Sequence, residues 1–220
     1  MTEFVGRTFL GLPESEGEAD VAILSIPYEL TTSYGQGTQD GPEATIRASA
    51  QVELYDPLLP EDLPCGFTLH TAQPWDGEGG TLHEQLEGIT NYVSQFQSSF
   101  PVILGGEHGM LPAIMKAVSQ QVDLSKLTLV QIDAHADLRD KYMGTKWVHA
   151  SGARRIHEQG NLVLAGVRSL CYEEKLYIDS NDVKCIFWPT EDPNYIDSIL
   201  EYLSEQVYVS VDLDVLDPSI

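Results

Sequence analysis

Short apolar runs of strand character alternate with amphipathic runs of helical character along this chain, and that alternation narrows the possible folds more than any other feature. The strand-like runs are Val21 to Ile26, Val102 to Leu104, Leu127 to Ile132, Leu162 to Val167, Val183 to Phe187 and Tyr208 to Val215. Between them, apolar residues recur at helical spacing: Leu82, Leu86, Ile89, Val93 and Phe96, then Leu111, Ile114, Met115 and Val118, then Ile196, Ile199, Leu200 and Leu203. Pro42 suits the first turn of a helix running to about Gln51, Thr81 and Glu84 form a capping-box pair, and Ala150 to Glu158 reads as helical. Pro57 to Gly80 reads as irregular. Strands separated by helices need crossover connections, so the expected class is α/β, with a mostly parallel sheet and helices on both faces. Ligands of such sheets bind beyond the carboxyl ends of the strands.

Composition bounds the partners. The 220 residues carry 34 acidic and 12 basic side chains, a formal net charge of -22. Nucleic acid and anionic membrane surfaces are poor partners for such a chain, whereas a cationic small molecule or a metal ion is attracted. A hydrophobic share of 42% fits a folded chain, and no apolar run reaches the roughly 18 residues of a membrane helix. Met1 to Asp20 lacks the basic opening and apolar segment of a secretory leader. Cys65, Cys171 and Cys185 have no metal-like spacing and leave one thiol unpaired, so the expected setting is the reducing cytoplasm.

Acids and histidines collect where apolar strands end. Gly105-Gly106-Glu107-His108 follows one strand, Asp133-Ala134-His135-Ala136-Asp137 follows another, and Asp212-Leu213-Asp214 lies inside the last. In extended chain, residues two apart project to one side, so Asp133, His135 and Asp137 can converge, and so can Asp212 and Asp214. Gathering these groups in a dry site without a cation is costly. Four carboxylates and two neutral imidazoles, His108 and His135, balance about two divalent ions. Without a thiolate, the set favours a hard-to-borderline metal, manganese first, with zinc, iron and cobalt open.

These motifs resemble the ureohydrolase family, which includes arginase and agmatinase, and the likeness covers nearly the whole chain. Tyr28 to Arg47, with Thr32-Ser33-Tyr34 and Gly41-Pro42, is similar to the family's N-terminal loop and helix. Gly105 to His108, Asp133 to Asp137 and Ser210 to Pro218 are similar to its three metal motifs. The resemblance implies a three-layer α/β/α sandwich holding two Mn2+ ions. One ion would be held by His108, Asp133, Asp137 and Asp212, the other by Asp133, His135, Asp212 and Asp214, with Asp133 and Asp212 bridging. Asp137-Leu138-Arg139-Asp140, His149-Ala150 and Arg154-Arg155 resemble agmatinase, and the Asn and Ser that arginases use to receive an amino acid's α-groups are missing.

The resemblance therefore implies hydrolysis of agmatine to urea and putrescine, a step of polyamine biosynthesis. Surrounding carboxylates, Asp137 in particular, would stabilise the charged tetrahedral species, and His149 would protonate the leaving amine. His83 and His157 read as ordinary helical residues. Guanidinobutyrate or arginine as substrate, a truncated non-catalytic metal-binding member, and a deacetylase of related fold are the alternatives. A homo-oligomer, trimer or hexamer, is implied too. Residues 1–220 read as a single ureohydrolase domain, truncated relative to the family, whose members continue past Asp217-Pro218 with a segment supplying a glutamate for the guanidinium.

Overall fold

The structure, a computed structural model, describes residues 8–15, 18–77 and 79–219. Ile220 and part of the Met1 to Asp20 segment fall outside the described residues. The chain divides into two compact units, Met1–Glu107 and His108–Ile220.

The first unit carries strand β1 (Val21–Ile26), helix α1 (Gly41–Ser49), strand β2 (Leu69–Thr71), helix α2 (Leu82–Ser94) and strand β3 (Phe100–Gly105). Its sheet runs in the order β2-β1-β3 with both pairings parallel. All of β1 but Val21 is buried, which explains its unbroken run of small and branched residues. Helix α2 starts at the expected capping box, with Thr81 accepting from the Glu84 amide and Glu84 from the Thr81 amide. Leu86, Ile89 and Val93 are the face it buries.

Gly105-Gly106 after β3 has a steric reason. A Cβ on Gly106 would lie 2.1 Å from the Tyr28 carbonyl oxygen, so only glycine fits there. Glu107 follows and is buried. Its carboxylate accepts from the amides of Leu30 (2.9 Å) and Thr31 (2.6 Å) and from the Thr31 hydroxyl. It anchors the loop that precedes α1.

The second unit carries α3 (Leu111–Val118), β4 (Leu127–Ile132), α4 (Gly152–His157), β5 (Asn161–Val167), α5 (Tyr172–Ser180), β6 (Lys184–Phe187), α6 (Tyr195–Leu200) and β7 (Gln206–Val211). The sheet order is β6-β5-β4-β7, parallel throughout. Leu111, Met115, Leu129, Leu138, Ile156, Leu162, Leu164 and Ile178 meet in one core. Both units thus belong to the α/β class with parallel sheets, the construction of an α/β/α sandwich. No helix among the described residues is long and apolar enough to cross a membrane.

Three expectations need correction. The stretch read as irregular contains β2, three residues that pair in parallel with Val21, Ala22 and Ile23. Helix α5 has no counterpart in the apolar spacing. The final strand is shorter than expected: β7 stops at Val211, and Leu213–Val215 forms a 3-10 turn. Asp212 and Asp214 therefore sit beyond the strand rather than on one of its faces.

Candidate metal centre

Register puts the second and third motifs side by side. Ile132, the last residue of β4, pairs with Val211, the last of β7. The Asp212 amide donates to the Ile132 carbonyl at 2.9 Å, so Asp133 and Asp212 leave the sheet as neighbours. Asp133 to Asp137 is not a strand continuation. It is a loop in which Asp137 adopts φ +53° and the Asp133 amide donates to the Ala165 carbonyl at 3.0 Å. The three motif residues consequently do not line one face. Asp137 turns to His108 and His135 turns to Asp214, while Asp133 reaches both.

Distances show this division. His108 Nδ1 lies 3.0 Å from Asp133 Oδ2, 3.2 Å from Asp137 Oδ2 and 3.5 Å from Asp212 Oδ2. His135 Nδ1 lies 2.8 Å from Asp214 Oδ2 and 3.7 Å from Asp133 Oδ1. Two sets of donor atoms are close enough to share an ion: His108, Asp133 and Asp212, and Asp133, His135 and Asp214. The first is the drier. The His108 and Asp133 side chains are 10% and 1% exposed, against 52% and 44% for His135 and Asp214.

The charge balance asks for cations. Among the described residues, the ion pairs of these six groups are only with one another. Burial favours a neutral His108, but Asp133 and Asp137 outweigh it and push the imidazole up to about 10. Hydrogen bonds to Asp133 and Asp214 push His135 up to about 10 as well. Burial also opposes the charge of Asp133, yet His108 and His135 hold its carboxyl well below the usual carboxylate range. Asp137 and Asp212 are pushed up, chiefly by burial.

One atom tests what kind of cation fits. His108 Nδ1 is buried and none of its three carboxylate neighbours is aligned as a hydrogen-bond acceptor. The other ring nitrogen, Nε2, is 2.8 Å from Ser210 Oγ. A cation in the place of the Nδ1 proton would meet that nitrogen's lone pair among the three oxygens, with Nε2–H donating to the hydroxyl. This is the tautomer a metal-ligating histidine takes, with its second nitrogen held by an outer partner. The donor set of oxygens and imidazoles suits a hard-to-borderline divalent ion.

His149 belongs to neither donor set. It opens the 3-10 turn His149–Ser151 and meets Tyr142 edge-on, with ring centroids 5.8 Å apart. Its segment is tied to the second motif, since Arg139 N donates to Ala150 O (3.0 Å) and Arg154 N to Asp137 O (3.2 Å).

Sequence reasoning passed over three supporting side chains. Gln131, wholly buried in β4, donates from Nε2 to Asp133 Oδ2 at 2.8 Å. Ser210 orients His108. Glu174 on α5 accepts the Leu138 amide at 2.9 Å, next to Asp137. Gln131 had a visible signal, a polar residue inside an apolar strand two positions before an aspartate.

Comparison with known proteins agrees with this construction. Residues 19–220 match the Arginase family. An N(1)-aminopropylagmatine ureohydrolase of Synechocystis is 34% identical over 93% of this chain and 70% of its own length. An agmatinase of Pyrococcus horikoshii is 33% identical over 91% of this chain and 70% of its own. Among solved structures, a putative agmatinase from Clostridium difficile superposes with a TM-score of 0.81 at 25% identity, covering 92% of this chain and 74% of that one. Three strand-end motifs on parallel α/β units, matched over residues 19–220, have one reading: the chain belongs to the arginase family.

Proposed function

We propose that this chain is a binuclear manganese ureohydrolase that cleaves the guanidino group of agmatine to urea and putrescine. The observation that carries the reading is Asp133 standing in both donor sets, with His108 Nδ1 within 3.5 Å of three carboxylates. His108, Asp133, Asp137 and Asp212 would hold one cation, and Asp133, His135, Asp212 and Asp214 the other. When bound, two such ions supply Lewis-acid charge and a water ionised near neutral pH.

The chain's own side chains do the rest. Asp137, buried beside His108, offers negative charge to the substrate's guanidinium. His149, half-buried at the edge of the same loop, delivers a proton to the departing amine. A net charge of -22 draws in a dicationic substrate. We also propose that residues 1–220 act as one ureohydrolase domain, supported by the match over residues 19–220. A cytoplasmic homo-oligomer completes the proposal.

The 34% identity to an aminopropylagmatine ureohydrolase favours a second substrate, N1-aminopropylagmatine, which shares the guanidino head. Urea release from manganese-loaded protein, measured across agmatine, N1-aminopropylagmatine, guanidinobutyrate and arginine, decides. Agmatine should give the highest kcat/KM, and a preference for arginine would overturn the assignment. His149→Ala should keep its metal and lose about 10²- to 10⁴-fold in kcat. Unchanged turnover would remove His149 from the mechanism.

A further inference from the structure

Arg168 lies just past β5 and belongs to none of the three motifs, yet it touches two of them. Its backbone serves the second motif: the Arg168 and Ser169 amides both donate to the Ala134 carbonyl, each at 2.9 Å. Its side chain serves the third. Nη1 donates to the Val215 carbonyl at 3.0 Å, and Nη2 to the carbonyls of Asp214 and Leu216, the latter at 3.1 Å. These carbonyls close the 3-10 turn that follows Asp212. They carry the negative end of the turn, where a guanidinium is well placed.

The two loops are clasped closely. Gly166 adopts φ +96°, and a Cβ there would lie 2.6 Å from Val215 Cγ2 and 3.3 Å from the Asp133 carbonyl oxygen. The Asp214 carboxylate then closes a circuit. Its Oδ1 accepts the Ala134 amide at 3.1 Å, and its Oδ2 faces His135 Nδ1 at 2.8 Å. Arg168 thus bridges the two loops of the more exposed donor set from the side, next to the direct links of Asp214 to Ala134 and His135. His108 and Asp137 make no contact with it among the hydrogen bonds and ion pairs described.

We propose that Arg168 is a positioning residue for the His135–Asp214 cation position, holding the turn of Asp214 against the loop of Asp133 to His135. This rests on the two-cation reading above. Three successive carbonyls are met by the two ends of one planar fork; a lysine ammonium reaches fewer of them at once. Arg168 is exposed, so its hydrogen bonds add little to global stability, while a metal site tolerates only about 0.5 Å of drift. Its loss should therefore be felt in one ion's affinity rather than in the fold.

The experiment is a manganese titration of the metal-free chain by calorimetry and native mass spectrometry. The unmodified chain, Arg168→Ala, Arg168→Lys and the control Asp214→Ala are compared, with the metal-free melting temperature of each. Two binding events are expected in the unmodified chain. In Arg168→Ala the second should weaken about 10- to 100-fold, the range for outer partners of metal ligands, with the first within about twofold. Arg168→Lys should fall between, and Asp214→Ala should lose the second event. An unchanged second event in both Arg168 variants overturns the proposal. So does a parallel loss of both events with a lowered metal-free melting temperature, because that marks general loosening. Fewer than two events in the unmodified chain would instead overturn the two-cation reading, and this proposal with it.

Discussion

His157 ties stability to pH at the level of one ring. It lies on α4 with Nδ1 2.8 Å from the Tyr177 hydroxyl, and the Arg154 guanidinium sits 4.0 Å over the Tyr177 ring. Burial lowers its pKa; the Glu158 charge opposes this in part, the Arg154 charge adds a smaller lowering and Asp182 a smaller rise. A histidine with a depressed folded pKa binds fewer protons folded than unfolded. Its contribution is fully present above the unfolded value of about 6.5 and lost as pH falls through that value toward the folded one. Denaturant unfolding between pH 8 and pH 5 should show a steeper loss in the unmodified chain than in His157→Gln. Equal slopes would contradict this. The residue types of the candidate centre were legible because carboxylates and imidazoles at strand ends have few other reasons to gather. Their directions were not legible. Strand alternation implied that Asp133, His135 and Asp137 share a face, whereas the left-handed turn at Asp137 sends it to His108 and His135 the other way.

At the scale of elements, α5 shows how a helix without a clear apolar stripe is fixed by its first turn. Glu174 is buried, and its carboxylate accepts the Cys171 amide at 2.7 Å and the Leu138 amide at 2.9 Å. It thereby starts the helix and pins the loop after Asp137. Glu174→Ala would leave both amides without that acceptor, at about 1–3 kcal/mol each. Urea denaturation should show a loss of about 2–6 kcal/mol, with Glu174→Gln milder because an amide oxygen remains. A loss under about 1 kcal/mol would show that water replaces the carboxylate freely. Helix α2 was readable from its capping box and spacing, both local. Helix α5 and β2 were not, because a long-range carboxylate in one case and pairing with β1 in the other decide their structure. The last strand was overextended because Leu213 and Val215 continue its apolar alternation, while the Asp212 carboxylate accepts the Asp214 amide at 3.1 Å and curls the chain.

For the molecule as a whole, the parallel order of β4 beside β5 and β7 turns sequence motifs far apart in the chain into one cluster at the strands' carboxyl ends. The alternation of strands and helices made the α/β class legible, and the three motifs made the family legible. Neither reveals Ser210 or Arg168, whose side chains meet partners far away in the sequence. The central claim is that these strand ends hold two cations that share Asp133. Crystals of the manganese-loaded chain, measured at the manganese absorption edge, test it most directly. Two anomalous peaks are expected, one against His108 Nδ1 and one against His135 Nδ1, with Asp133 touching both. A single peak, or peaks away from these nitrogens, would contradict it.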